Sequence, residues 1–539
     1  MSKTLWKPWL IVILLVGTSS TLLGQETTSD LKTTAEPILG EYEIYIQGQY
    51  YDLTIDMKED GLVMVSSVLG NRDLKVEDLN NLQFSFTDQD GVNRMDFLRK
   101  TDGQVNSFTL SWEPDGRYEG GRIPKDRKFK DTFSKQELME DLSQLEGFMQ
   151  MHPQLYEYTS QEKFSRCWEE ARSQVHEDMT VADFYRETAP LVAAIGCYHT
   201  RLYVPRHFWP DQGNCLLPMR LEVVGDRVYV REILAESDRV QPGSELVSIE
   251  GLPINEIVEE LTRYISSDGF ITSSKEAYLE AFFPRYYGLV YGMKSSFEIE
   301  FVQHGSKQQK VTLEAVSEEK LGELLATAED PLELITQAED NLAIMRIDHF
   351  GFYQNKSEFT DFVDESFAAI AQQGIDNLIL DIRGNGGGDP YAARYLLKYL
   401  AQEPIVYFHN PPEPLAETGK PLALASNNHF KGRVYTMLDG GEGSTTGHLL
   451  ALLKYHGLGE FVGVESGATY FCNDASARFT LKNTRLGLKI ARASFAVEVT
   501  GMPKNRGILP DYRVEPTSRD LAEKRDTTLE FTRRLIAGN

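Results

Sequence analysis

Changes of hydropathy period along 539 residues predict a multidomain α+β protein. A period-two pattern runs from about residue 40 to 122, helical spacing takes over across 133–195, and strand–helix alternation fills 340–515. A second β-rich stretch, 215–315, lies between the last two. The chain is too long for one hydrophobic core. The predicted divisions are a small all-β accessory module at 38–125, a helical segment at 130–210, a β unit with a helical insertion at 215–318, an α/β core at 325–515 and a C-terminal helix at 516–539.

Composition is that of a folded protein, with 41% hydrophobic and 25% charged residues. A formal net charge of −26 argues against nucleic acid and anionic membrane as partners. Lys3 and Lys7 precede the apolar run Trp9–Val16, and small residues lead to Gly24-Gln25. This is the pattern of a secretory signal peptide, 1–24, and predicts export to the periplasm or the extracellular space. No later stretch reads as a membrane span, so no stable membrane insertion is expected. The polar segment 26–36 reads as a linker. Export permits disulfides. The four cysteines, Cys167, Cys197, Cys215 and Cys472, allow three pairings, and free buried thiols remain equally open. No His/Cys/Asp/Glu spacing suits a metal, and no cofactor is expected.

The first module alternates through YEIYIQGQYYDLTIDM, GLVMVSSV, LQFSFTD and SFTLSW, with turns such as Glu59-Asp60-Gly61 between runs. It shows no chemistry. In the helical segment, Ser134 and Glu137 have the spacing of a capping box. The last of these helices stops at Gly196, which leaves His199 in a turn before the strand Arg201–Val204. In the next unit, Gln241–Leu246 followed by Ser248–Gly251 resembles the central hairpin of a PDZ domain, a module that binds extended C-terminal peptides by strand addition. The aromatic insertion at 255–292 either covers that groove or simply packs.

The α/β core contains two glycine turns. Leu378–Arg383 is a buried-strand run followed by Gly384-Asn385-Gly386-Gly387-Gly388, with Asp389 and Pro390 opening a helix. No Gly-Lys-Ser/Thr follows, so a phosphate loop is excluded. Exposed N–H groups at such a turn suit an oxyanion site. Val434–Leu438 leads into Asp439–Gly443, then Ser444, then the apolar helix Leu449–Lys454. A serine at a helix start is either a cap or a nucleophile. Turns at the carboxyl edge of one sheet can face each other there.

On LDIRGNGGG (Leu380–Gly388), the Gly443-Ser444 turn and GILPD (Gly507–Asp511), the region 135–515 resembles the tail-specific, or C-terminal processing, serine peptidases and their tricorn-core relatives. The resemblance implies a PDZ-like domain beside an α/β peptidase core with ClpP/crotonase-like layering, and a polypeptide substrate. It puts the nucleophile at Ser444, the oxyanion donors at the N–H groups of Thr445 and of Gly387 or Gly386, and the base at His199, as in the histidine-bearing branch. The better-known branch has a lysine base where Thr469 stands. The family's acid is expected just before GILPD, where Lys504-Asn505-Arg506 stands, so Glu465 and Asp511 are the candidates for the third member. His448, four residues after Ser444 on its helix, is the rival base. A Cys197–Cys472 disulfide that fixes the His199 turn is weighed against two free thiols. The function expected is an exported serine peptidase. The alternative is a catalytically inactive binding protein on the same scaffold. The chain gives no oligomeric state.

Overall fold

A computed structural model describes residues 34–538 apart from short segments at 47–48, 59–60, 67–71, 88–91, 100–103, 113–115, 123–129, 206–207, 210–211, 235–238, 304–305, 326–329, 354 and 412. The expected signal peptide and most of the linker after it lie outside the described residues.

The N-terminal all-β module is a closed barrel. Eight antiparallel strands between Gly40 and Arg122 each pair with the next, and the first, Gly40–Ile46, also pairs with the last, Gly116–Arg122. Closure removes the sheet edges that an open module would expose. Inward-facing Tyr42, Phe84, Phe97 and Phe108 fill the interior, with ring centroids 5.6–5.9 Å apart in edge-on contacts. Tyr50 in the second strand also pairs with Thr480, which joins the barrel to the rest of the chain.

Three helices follow, Lys135–Met149, Gln161–Gln174 and Val181–Ala193. Ser134 and Glu137 form the expected capping box. The first helix is pinned from outside: buried Asp141 accepts hydrogen bonds from the N–H groups of Asn483 and Thr484 at 2.9 and 2.7 Å. The turn after the third carries Gly196, whose φ of 72° suits glycine.

The next unit is a sheet of strands Met219–Val224, Arg227–Ile233, Glu245–Ile249, Ser296–Val302 and Gln309–Glu314 in that spatial order. The insertion contributes helices Ile254–Thr262 and Thr272–Tyr291. The longer one buries Leu279, Phe283 and Tyr287 against this sheet. Its Glu280 accepts the Val223 N–H of the edge strand at 2.7 Å.

The core sheet has the order Leu332–Gln337, Leu342–Ile347, Asn377–Asp381, Arg433–Leu438, Glu460–Gly463, Tyr512–Arg513, all parallel after the first pair. Alternate residues face opposite layers. Ala343, Met345, Leu378, Leu380 and Val434 pack under helices Lys356–Gln373, Pro390–Leu400 and Thr445–Tyr455. Leu342, Ile344, Ile379, Tyr435 and Met437 meet the C-terminal helix Thr527–Ile536 through Leu529, Leu535 and Ile536. The apolar stripe of that helix is thus the cover of the sheet's second face. Because Asp381 pairs in register with Met437, the turns after these neighbouring strands leave the sheet at one edge.

Candidate active site

Asn385, fully buried, stitches the two glycine turns together. Its carbonyl accepts the Gly443 N–H at 3.0 Å. Its side-chain oxygen accepts from Thr446 Oγ1 at 2.7 Å and from the Gly387 N–H at 3.0 Å, and its amide donates to the Ile347 carbonyl at 2.8 Å. Asp439 Oδ1 receives the Gly384 and Gly441 N–H groups at 2.8 and 2.9 Å. Thr445 Oγ1 donates to the Gly388 carbonyl. Gly387, with φ 99°, lies so close to Ser444 that an added Cβ would sit 2.8 Å from the Ser444 Cβ and 2.9 Å from the Thr445 nitrogen. Only glycine satisfies both demands.

Ser444 has φ 51° and ψ −120°, a conformation that costs a non-glycine residue about 1–3 kcal/mol. Its side chain makes no capping bond to its helix, Thr445–Tyr455, which removes the ordinary reason for a serine there. The turn that imposes this backbone is braced by Glu442, a buried carboxylate that accepts the Asp439 and Gly440 N–H groups at 2.8 and 3.0 Å. Burial and nearby Asp439 push the Glu442 carboxyl well above its usual range.

The His199 turn docks on this turn. The neighbouring Tyr198 ring lies where a Gly443 Cβ would be only 3.1 Å from it, and its hydroxyl lies beside Gly386. His199 is buried, with Nε2 3.3 Å from Asp474 Oδ2 and Nδ1 shielded without a hydrogen-bond partner. Burial pushes the imidazole down to about 4 against the pull of Asp474. Burial works against ionisation of Asp474 too, but His199, Lys489 and the hydrogen bonds of Ser476 outweigh it and hold that carboxyl below its ordinary value. A second carboxylate, buried Asp268, accepts the Tyr198 N–H at 2.9 Å while its Oδ2 has no partner. Burial raises Asp268 to about 7, with Asp474 adding to the rise. Next to it, Gly269 N–H donates to the Gly196 carbonyl at 3.0 Å.

His448 also stands in this cluster. Its Nε2 is 3.5 Å from Cys472 Sγ, its Nδ1 is unpartnered, and burial lowers it to about 3. Burial raises the Cys472 thiol well above its usual range; a hydrogen bond with the Ser444 hydroxyl pulls the other way. Cys197 and Cys472 are both buried and both free, so the weighed disulfide is not formed.

Glu465 and Asp511 sit elsewhere. Glu465 forms a two-pronged pair with Arg506 at 2.7–2.8 Å and accepts the Gly507 N–H. Asp511 pairs with Lys454 and accepts the Phe461 N–H at 2.9 Å. The carboxylate beside His199 is Asp474. Lys504, in the slot of the family's acid, pairs with Glu157 at 2.9 Å. Thr469 is buried against the Ser444 helix, its backbone beside Gly447. Asp474, Asp268, Asn385 and Glu442 are the residues that sequence reasoning missed. Asn385 and Glu442 stood inside the two quoted motifs. Asp474 lay two residues after Cys472, on the strand Phe471–Asp474. Among the described residues, no group of three or more His, Cys, Asp or Glu side chains is arranged to hold a metal ion.

No curated protein matches the chain by sequence. Among solved structures it is similar to mature CPAF complexed with lactacystin, at 12% identity over 75% of this chain and 98% of that one, with a TM-score of 0.54. A second structure of mature CPAF gives 14% identity over 75% and 96%, with a TM-score of 0.53. These likenesses establish a shared fold. The photosystem II D1 C-terminal processing protease aligns at 15% identity over 74% and 97%, with a TM-score of 0.37. The model of peptidase family S41 matches residues 341–514, which hold both glycine turns, Ser444, Asp474 and GILPD. By that match residues 341–514 form a peptidase family S41 region, and that family is one of serine-type peptidases.

Proposed function

We propose that the chain hydrolyses polypeptides with Ser444 as nucleophile, His199 as general base and Asp474 as the carboxylate that orients it. The observation that carries this is Ser444 itself: a strained serine at a helix start whose hydroxyl does not cap the helix and whose Cβ abuts Gly387. With Nε2–H directed at Asp474, Nδ1 keeps the lone pair, and burial holds the ring neutral at pH 7. The neutral ring takes the Ser444 proton as the hydroxyl attacks the carbonyl, then returns it to the leaving amine. The hydroxyl must first turn from the Cys472 thiol toward His199. The Thr445 N–H, with Gly387 or Gly386, receives the oxyanion.

The signal-like N-terminus supports export of the enzyme. The sheet at 219–314 supports a PDZ-like module, and a tail adding to the edge strand Met219–Val224 would have to displace Glu280 from Val223. The alternative, a silent binding protein on this scaffold, draws on one observation: the Gly387 N–H is already donated to Asn385. A fluorophosphonate probe separates the two. Ser444 is expected to be labelled, and Ser444→Ala to lose labelling and turnover of unfolded protein substrates by at least about 10⁴-fold. Undiminished cleavage by Ser444→Ala would refute the assignment.

A further inference from the structure

A cavity of about 200 Å³ opens between helices Lys356–Gln373 and Pro390–Leu400. Its apolar wall is Phe352, Phe359 and Leu422. Three cations, Lys356, Arg394 and Lys398, also line it. In a chain of net charge −26, three cations around one apolar cavity are a local reversal of sign.

Of the three, Lys356 is paired with a carboxylate of the lining, Asp389, while Arg394 and Lys398 have none of the lining carboxylates as partner. Lys398 Nζ sits 4.1 Å from the Tyr395 ring centroid and Lys356 Nζ 4.6 Å from that of Tyr391. Arg394 donates to the Lys420 carbonyl at 3.3 Å, while its Nε is shielded from solvent and has no hydrogen-bond partner. The one carboxylate in the lining, Asp389, accepts the Tyr391 N–H at 2.9 Å as a helix cap and stands 3.8 Å from Lys356. Cationic side chains around an apolar wall are the complement of an apolar group that carries its own anion.

The cavity is close to the nucleophile. Gly387 abuts Ser444, and Asp389 lines the cavity two residues further, a reach of at most about 7 Å of chain. An extended peptide advances about 3.3 Å per residue, so a segment of about two or three residues spans the stretch from Gly387 to Asp389.

We propose that this cavity is a specificity subsite for a bulky apolar side chain with a carboxylate next to it, the ring or alkyl group against Phe352 and Phe359 and the carboxylate at Arg394 and Lys398. This rests on the peptidase reading for its role, though not for its binding. The carboxylate has two sources, the free C-terminus of the substrate or an acidic residue beside the apolar one.

Calorimetric titration of full-length Ser444→Ala with three peptides tests it: acetyl-Ala-Ala-Ala-Phe as free acid, the same peptide as amide, and acetyl-Ala-Ala-Phe-Glu-amide. The free acid or the Glu peptide is expected to bind at least ten-fold more tightly than the plain amide, and which one does names the source. Arg394→Gln with Lys398→Gln is expected to erase that preference. Thr360→Trp, on a half-buried position of the lining, is expected to block all three peptides. Equal binding of the three peptides overturns the proposal. So does a preference that survives Arg394→Gln with Lys398→Gln, which locates the carboxylate elsewhere, for instance on the sheet at 219–314. Preference without fluorophosphonate labelling of Ser444 in the otherwise unsubstituted chain keeps the subsite and sinks the peptidase reading; labelling without preference does the reverse.

Discussion

Two histidines stand in the Ser444 cluster, and they differ in what holds them. His199 comes from a turn hundreds of residues upstream and has a carboxylate, Asp474, on Nε2. His448 comes from the Ser444 helix itself and has the Cys472 thiol on Nε2. Burial keeps both rings neutral near pH 7, at about 4 and about 3. Neutrality therefore does not choose the base. What separates them is the fate of the proton once taken: an imidazolium at 199 forms in contact with Asp474, while one at 448 forms among Tyr407, Phe408 and a protonated thiol, is repelled by His199 and feels Asp474 only as a lesser pull. A nearby opposite charge is what a buried general base needs.

The largest effect expected is therefore the contrast between His199→Ala and His448→Ala. The first should lower kcat/KM by about 10³–10⁴-fold, the scale of a lost general base. The second should cost less than about ten-fold once thermal unfolding shows the variant folded. Equal losses, or the reverse order, would break the comparison and make the helix histidine the base.

Asp474→Asn sharpens it. Loss of the anion should lower kcat by about 10²–10⁴-fold, as removing an orienting carboxylate does elsewhere. A merely structural aspartate would not move the pH profile. Here the acid limb of kcat/KM should lie near pH 4 in the parent, well below the ordinary histidine range, because only neutral His199 works. Asp474 raises the ring's affinity for a proton, so Asp474→Asn should shift that limb to still lower pH. A limb near 6.5 in the parent would show an exposed base and contradict the burial argument. The same depressed histidines also make acid destabilising. Both rings are neutral when folded but charge near pH 6.5 when unfolded, so stability falls as pH drops from about 6.5 toward 4.

Much of this site was legible in the chain because glycine is. Three glycines in a row at a strand end have few structural uses, and Ser444 follows a strand by a turn that glycine alone permits. His199 was legible only through the family resemblance, since a histidine in a turn is ordinarily solvated. Asp474 was not legible: it reaches His199 because the strand Phe471–Asp474 crosses 275 positions of sequence to meet the 199 turn, and no local pattern encodes that. Asn385 hid among glycines, whose backbone freedom drew attention from the one side chain that ties both turns. The barrel shows the same limit. Alternation announced strands, while closure depends on Gly40–Ile46 pairing with Gly116–Arg122, a long-range register.

The smallest effect concerns the second carboxylate, Asp268, which touches the backbone of the His199 turn and not its ring. Its raised carboxyl, about 7 against 3.8, has the opposite sign of linkage from the histidines. The folded protein holds a proton there that the unfolded chain has lost, so stability falls as pH rises from about 4 through 7. Asp268→Asn keeps an acceptor for the Tyr198 N–H but cannot ionise. It should therefore stabilise the protein at pH 8 more than at pH 5, by about 2–3 kcal/mol in denaturant titrations. Activity near pH 7 should change by less than about ten-fold, since the ring and Asp474 are untouched. If Asp268→Asn instead lost activity as Asp474→Asn does, with no pH-dependent gain in stability, the two carboxylates would act on the imidazole as a pair. The contrast between His199 and His448 would then be one of two anions serving the first ring against a lesser pull from Asp474 on the second.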